Sequence, residues 1–412
     1  MANKTKIFTC LLLISLLTSC NKSTLASATN MPSISPHANV KFDCPKIETT
    51  TTDLKSIGDL IFHRLSGGIY QMNMATMVMT QLNKPNEALL EFSVSPNQKW
   101  IAYYESEFNQ SDANLIVEGV NNQIYKTLPW ESEWGAFRWL DNERLIIRTI
   151  PPSEPNSVTN YNTDFLVLNP FTGERQTVKV DYPNIYNLYP LPDWDGWGIT
   201  VYNQTLTRVV YLEGDVSGPL FYVLWDLQKK SQITNLQIIG DLDANPRWSP
   251  NGEQFAVAPS LFSQMKQYPS YELYSVTKDG DTKQLTHLTD YYPWVYIADL
   301  SWSPDSRYIA FWFSHWQQSE SPSYGSSAGD RYLGVLDTET GLVTDYCITG
   351  EKKATIGIRI YPPPLWSPDS KQLVVKSQTG DESFKTILID IQENRAFHIA
   401  DDLTPVGWMA LP

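Results

Sequence analysis

Three stretches of the chain repeat nearly the same eleven residues: Arg247-Trp-Ser-Pro-Asn-Gly-Glu-Gln-Phe-Ala-Val257, Ser301-Trp-Ser-Pro-Asp-Ser-Arg-Tyr-Ile-Ala-Phe311 and Leu365-Trp-Ser-Pro-Asp-Ser-Lys-Gln-Leu-Val-Val375. Self-similarity at this spacing constrains architecture more than any single motif, because each repeat must be one supersecondary unit stacked on its neighbours. Within each copy Pro sets φ at the first central position of a turn. Asn or Asp ahead of Gly or Ser tolerates unusual dihedrals, and alternating apolar residues then resume a half-buried strand. The unit is strand, tight turn, strand, so the sheet it builds is antiparallel.

Looser copies extend the array. Phe92-Ser-Val-Ser-Pro-Asn keeps the turn, Phe137-Arg-Trp-Leu-Asp-Asn replaces it, 191–201 is the most divergent copy, and 407–411 is a truncated one. The residues at the Trp position are Val94, Trp139, Leu191, Trp248, Trp302, Trp366 and Trp408, spaced 42 to 64 residues apart. A second series of short-turn hairpins, at 69–82, 115–128, 165–180, 222–236, 272–286, 332–346 and 386–400, alternates with the first. The array begins with a hairpin lacking its inner strand and ends on an inner strand, 405–411, lacking its hairpin. Pairing the two ends would complete one blade and close a ring with protected edges. The predicted fold is all-β: a β-propeller of seven four-stranded blades closed by the C-terminal strand. Six blades is the alternative if the region around Leu191 is an insertion.

The Trp-Ser-Pro-Asp repeats resemble those of TolB-like propellers, a WD-like repeat family of extracytoplasmic modules also recognisable in non-catalytic domains of some prolyl peptidases. The resemblance covers most of 58–412 as architecture and implies scaffold and compartment without specifying a site. TolB-type rings are usually six-bladed, so the count of seven sets this chain apart from TolB itself.

Composition agrees with one large β domain: 42% hydrophobic, 12% aromatic and only 18% charged residues, punctuated by 21 Gly and 27 Pro. Ahead of it, Lys4 and Lys6 precede an apolar run over 7–17, and Leu17-Thr18-Ser19-Cys20 ends that run with small residues before a cysteine. This is the pattern of a secretory signal and looks like a bacterial lipobox, which implies a diacylated Cys20 as the mature N-terminus. An ordinary signal peptide or a membrane anchor is the rival, although the apolar run is short for a span. The expected organisation is a signal peptide over 1–19, a Ser/Thr/Asn/Pro-rich flexible tether over 20–42 and one propeller over 43–412. Such a protein is lipid-anchored in the cell envelope, outside the cytoplasm, periplasmic or extracellular. Loss of Lys4 and Lys6 with the leader takes the formal charge from −14 to −16. An acidic surface argues against nucleic-acid partners.

Cys44 and Cys347 are the cysteines left besides Cys20. In an oxidising compartment they read either as a disulfide from the start of the ring to the outer edge of the last complete blade, or as two buried thiols.

Turns between first and second strands and between third and fourth strands share one face of a propeller, and here they are uniformly short. Length variation falls on the opposite face, whose connections are rich in aromatics. The candidate binding face comprises Trp130, Trp134, Tyr291, Tyr292, Trp294, His315 and Trp316, because Trp and Tyr offer large contact area with a polar handle. For any single residue the alternative is packing within loops and seams. Trp139, Trp248, Trp302 and Trp366 recur at one repeat position and read as packing between blades.

Catalytic signals are weak. Gly325-Ser-Ser-Ala-Gly329 fits the nucleophile-elbow pattern but lies in a β array rather than at a strand-turn-helix junction. The five histidines show no metal spacing, although His287 and His315 lie on neighbouring loops. No cofactor, metal or catalytic residue is predicted. The favoured function is a monomeric, non-enzymatic scaffold binding an envelope protein, peptide or glycan. The alternative is a propeller-type enzyme acting on glycan with paired carboxylates at the central channel, drawn from Asp193, Asp195, Asp290 and Asp299.

Overall fold

A computed structural model of the chain carries residues 58–410 through seven four-stranded antiparallel sheets. It describes residues 40–49, 58–64, 68–82, 87–107, 113–119, 124–129, 131, 134–149, 165–178, 201–214, 220–239, 246–261, 270–292, 294–316, 327–352, 354–355, 362–379 and 383–410. Blade 1 is made by Thr404–Ala410, Gly58–His63, Ile69–Asn73 and Val78–Gln81, so the C-terminal strand does close the ring. It pairs antiparallel with Gly58–His63, with Leu60 opposite Trp408. Blades 2 to 7 follow in chain order, with first strands Glu87–Val94, Trp134–Trp139, Val201–Tyr202, Arg247–Trp248, Trp294–Trp302 and Leu365–Trp366.

Because strand side chains alternate, each blade presents one apolar face to the blade before it and another to the blade after. The core is accordingly divided into seven clusters, one per seam. Within Tyr308–Trp316, Phe311 and Phe313 pack towards blade 5 while Ala310 and Trp312 pack towards blade 7.

The repeat motif works as its residue types suggest. In Ser303-Pro304-Asp305-Ser306, the Ser303 hydroxyl donates to Asp305 Oδ1 at 2.5 Å and accepts the Tyr308 N–H at 2.8 Å. Gln98, Leu206, Gly252, Ser306 and Ser370 occupy one turn position, all with φ between 53° and 70°. Nothing lies within 4 Å of a Cβ built on Gly252, so the penalty of a side chain there is conformational. Gly252→Ala should destabilise by about 1 kcal/mol, read as a lower urea midpoint at unchanged slope.

Four repeat tryptophans also carry a polar function. Trp139, Trp248, Trp302 and Trp366 donate their indole N–H to Ser93 O, Val201 O, Arg247 O and Ser301 O, at 3.0, 3.1, 2.8 and 3.2 Å. Each acceptor lies on the first strand of the preceding blade, so every bond crosses a seam.

Three expectations need correction. The fourth repeat is anchored on Tyr202, not Leu191: its turn is Asn203-Gln-Thr-Leu206, closed by Asn203 N–H to Arg208 O and Leu206 N–H to Asn203 O. Leu191 lies outside the described residues. Next, Val40–Phe42, assigned by composition to the tether, is a strand of the propeller. It pairs parallel with Leu342–Thr349 as a fifth strand of blade 6, and Ile47–Glu48 pairs parallel with Arg395–Asp401 as a fifth strand of blade 7. Finally, Cys44 and Cys347 form a disulfide with Cα atoms 5.1 Å apart, but Cys347 belongs to blade 6, the last complete blade but one. Residues 40–48 thus form a strap across the rims of two blades. Arg395 holds it by a fork to Glu48 at 3.0 and 2.9 Å, and Asn394 donates to Asp43 Oδ1. Among the described residues no helix is long and apolar enough to cross a membrane; Cys20 and the segment 1–39 lie outside them.

Candidate recognition face on blades 5 and 6

Blades 5 and 6 carry ordered structure beyond the four-stranded plan, on the face opposite the repeat turns. Ser260–Leu261 pairs with Ser270–Tyr271, and Ser327–Gly329 pairs with Ala354–Thr355. The first two strands of blade 6, Trp294–Trp302 and Tyr308–Trp316, are nine residues each and set Trp294 directly opposite Trp316. Trp294, Tyr296, His315 and Trp316 are therefore strand residues rather than loop residues. A bulge at Asp299, with φ 52°, shifts the register between Ala298 and Ser301.

A fully buried carboxylate builds the approach to this hairpin. Glu272 accepts from Thr286 Oγ1 at 2.6 Å, Leu288 N at 2.9 Å, Thr289 N at 2.7 Å and Thr289 Oγ1 at 2.7 Å. These bonds satisfy donors at the start of the 3-10 turn Leu288–Asp290, where the buried Leu288 N–H would otherwise lack a partner. The turn delivers Tyr291 and Tyr292 to different environments. Tyr291 is 46% exposed, its ring 6.1 Å from that of Phe42 on the strap. Tyr292 is buried and stacks on His315, with centroids 4.1 Å apart and planes at 20°. His315 in turn stacks on Tyr332 at 5.3 Å. Burial raises the hydroxyl pKa of Tyr292 and Tyr332 and lowers that of the His315 imidazole.

The sign of the His315 shift yields a pH prediction. Its folded pKa lies below the unfolded value of about 6.5, so its contribution is present above that pH and is lost as pH falls through the folded pKa. Tyr292, Phe313 and Tyr332 face the ring, with Asp345 close to both tyrosines. His315→Phe preserves the stacking and removes the titration. It should flatten the fall in urea midpoint between pH 7.5 and 5.5, where one such group contributes at most about 1.4 kcal/mol per pH unit.

The predicted binding residues divide. Tyr291 is exposed, and Trp294 and His315 are half-buried. Tyr292 is core. Trp134 is core as well, 4% exposed in the seam between blades 2 and 3 with Arg175 over its ring. It begins a strand, Trp134–Trp139, and a register shift between Trp134 and Phe137 places it in the same seam as Phe137 and Trp139. Trp130 lies outside the described residues, as does the side chain of Trp316.

Of the four carboxylates of the glycan-enzyme alternative, Asp290 and Asp299 are described. Asp299 is 9% exposed and ion-paired with Arg331 Nη1 at 3.3 Å, with Glu351 Oε2 at 3.8 Å from the same nitrogen. Asp290 is exposed on the 3-10 turn, and Asp193 and Asp195 lie outside the described residues. Ser327 of the elbow-like pattern begins a β-strand, and His287 Nδ1 lies 3.2 Å from Gln284 Nε2. No cluster of three metal-ligating side chains occurs among the described residues. Sequence reasoning did not reach Glu272 or Arg331. Each sits beside a strand rather than in one, between Ser270–Tyr271 and Tyr274–Thr277 or just ahead of Tyr332–Asp337, and its burial is legible only from the fold.

No family model and no curated protein matches the chain. Solved structures do. TolB from Acinetobacter baumannii is 12% identical with a TM-score of 0.41, over 85% of this chain and 66% of that one. Oligogalacturonate lyase from Vibrio parahaemolyticus is 10% identical with a TM-score of 0.48, over 85% and 86%. Puromycin hydrolase is 11% identical with a TM-score of 0.47, over 87% of this chain and 56% of that one. The chain thus spans just under two thirds of TolB and little more than half of puromycin hydrolase. At these identities the likeness to all three is one of β-propeller fold alone.

Proposed function

We propose that the protein is a lipid-anchored, extracytoplasmic scaffold that binds an envelope protein, peptide or glycan through the elaborated face of blades 5 and 6. The observation that carries this reading is the nine-residue hairpin of blade 6, which aligns Trp294 with Trp316 on a base rigidified by Glu272 and the Tyr292–His315–Tyr332 stack. Backbone pairing fixes these two positions opposite each other, and aromatic residues offer contact area to protein or sugar faces alike. Two described acids beside this hairpin are engaged within the fold: Glu272 accepts four hydrogen bonds and Asp299 faces Arg331. The Cys44–Cys347 disulfide supports an oxidising compartment, and Leu17-Thr-Ser-Cys20 supports anchorage through the Cys20 acyl chains.

The test is capture of partners from solubilised envelope by the full lipoprotein, beside a Trp294→Ala/Trp316→Ala variant whose thermal unfolding is checked in parallel. The variant should lose its partners while remaining folded; the same partners retained at the same yield would reject this face.

A further inference from the structure

Seven large apolar side chains stand exposed among the described residues, and all but Tyr125 lie along the rim of three consecutive blades. Blade 6 contributes Phe42, Leu342 and the adjoining Tyr291, blade 7 contributes Ile47, and blade 1 contributes Val78 and Met79. Single exposed apolar residues need no explanation, whereas a concentration on one arc marks a contact surface. At its centre the strap reads Val40-Lys-Phe-Asp-Cys-Pro-Lys-Ile-Glu48, an exposed Lys directly preceding each exposed apolar residue. Its two acids are engaged within the fold: Asp43 with Lys41 and Asn394, Glu48 with Arg395. An otherwise acidic protein therefore offers, along this strap, aromatic and aliphatic groups flanked by long amphipathic cations. That chemistry suits the boundary between lipid headgroups and acyl chains.

The place where the chain joins the propeller selects the occupant. Val40 is the first residue of the strap, and about twenty residues separate it from Cys20. Twenty residues reach no more than about 70 Å even when fully extended. An anchor within that reach confines the rim to the neighbourhood of the bilayer, which favours even a weak apolar contact. We propose that the rim of blades 6 and 7 docks on the headgroup region of the bilayer, with Phe42, Tyr291 and Ile47 at the boundary. The ring then stands edge-on, and the elaborated face of blades 5 and 6 opens sideways to partners in the envelope. This inference rests on the lipid-anchor reading of Cys20.

The experiment is hydrogen exchange on the full lipoprotein in phosphatidylcholine vesicles, compared with a Phe42→Ser/Tyr291→Ser variant in the same vesicles. The outward amides of an edge strand exchange quickly unless covered. Peptides spanning 40–48 and 288–292 should exchange several-fold more slowly in the wild type, while Arg175–Val178 on the far rim exchanges alike in both. Because both substituted side chains are about half exposed, the variant keeps its fold, which an unchanged thermal midpoint verifies. Equal exchange of the strap in the two proteins, with acyl mass verified on Cys20, overturns the docking and leaves the anchor standing. Absence of acyl mass overturns the anchor and the docking with it. Protection that appears only when envelope protein is added assigns the rim to a protein partner and likewise overturns the proposal.

Discussion

Removing the last strand, by ending the chain after Leu403, should eliminate cooperative unfolding altogether. Thr404–Ala410 is the inner strand of blade 1, and its loss exposes the edge of Gly58–His63 and opens two seams at once. Trp408 is 2% exposed among Leu60, Phe62, Val374 and Leu388, and Met409 is 1% exposed on the opposite side among Ile61, Ile101 and Tyr103. Trp408→Ala alone should cost about 3–5 kcal/mol, visible as a large drop in the urea midpoint. Trp408→Phe should cost far less, because the Trp408 indole nitrogen is buried without a hydrogen-bond partner and its removal orphans nothing. Trp302→Phe forfeits the bond to Arg247 O at 2.8 Å as well as volume, so it should be the more harmful of the two by about 1 kcal/mol. Equal costs for the two Phe variants would count against the seam-crossing bonds as contributors to stability. Gly407 belongs to the same argument: any side chain there meets Val94 of blade 2, so Gly407→Val should approach the effect of truncation.

Reduction of the disulfide, or Cys44→Ser with Cys347→Ser, is the second large effect. The bond closes a separation of 303 residues, and the chain-entropy model assigns a loop of that size about 5–6 kcal/mol, of which native proteins commonly realise about 2–4. In a domain of this size that corresponds to a fall in Tm on the order of 5 °C. The loss should also be local. With the bond gone, the strap is held by two short parallel ladders, the Glu48–Arg395 fork and the Asp43 contacts. Proteolysis around 40–48 should then precede global unfolding. A thermal midpoint unchanged by dithiothreitol would show that the strap adds nothing to ring closure.

The repeat copies were legible wherever turn chemistry is carried by residue type. Ser303-Pro-Asp-Ser and Ser367-Pro-Asp-Ser announce their turns, and the paired series of turns and hairpins counts seven blades correctly. Blade 4 escaped because Asn203-Gln-Thr-Leu206 makes the same turn with neither Pro nor Asp, and with Leu206 in a conformation that Gly would favour. The Asn203 side chain compensates by accepting the Thr207 and Arg208 N–H groups, both at 2.9 Å. The strap escaped for a different reason: parallel addition to a sheet edge satisfies main-chain groups and demands no alternation, so three residues of it look like a linker. The candidate site was half legible. Aromatic richness pointed to the connections on one face, but whether a ring lies outside or inside depends on strand length and bulge position. Trp134 and Tyr292 are core, while Tyr291, one residue from Tyr292, is exposed.

Local chemistry along the chain was enough to determine the antiparallel unit, its number and the closure by the C-terminal strand, because turn dihedrals and apolar alternation are properties of adjacent residues. Tertiary structure alone decided that the N-terminal segment becomes a disulfide-pinned fifth strand on two blades, that Glu272 and Arg331 are buried and partnered, and which aromatics reach solvent. Each of these depends on contacts between residues remote in sequence, and no local preference encodes such a contact.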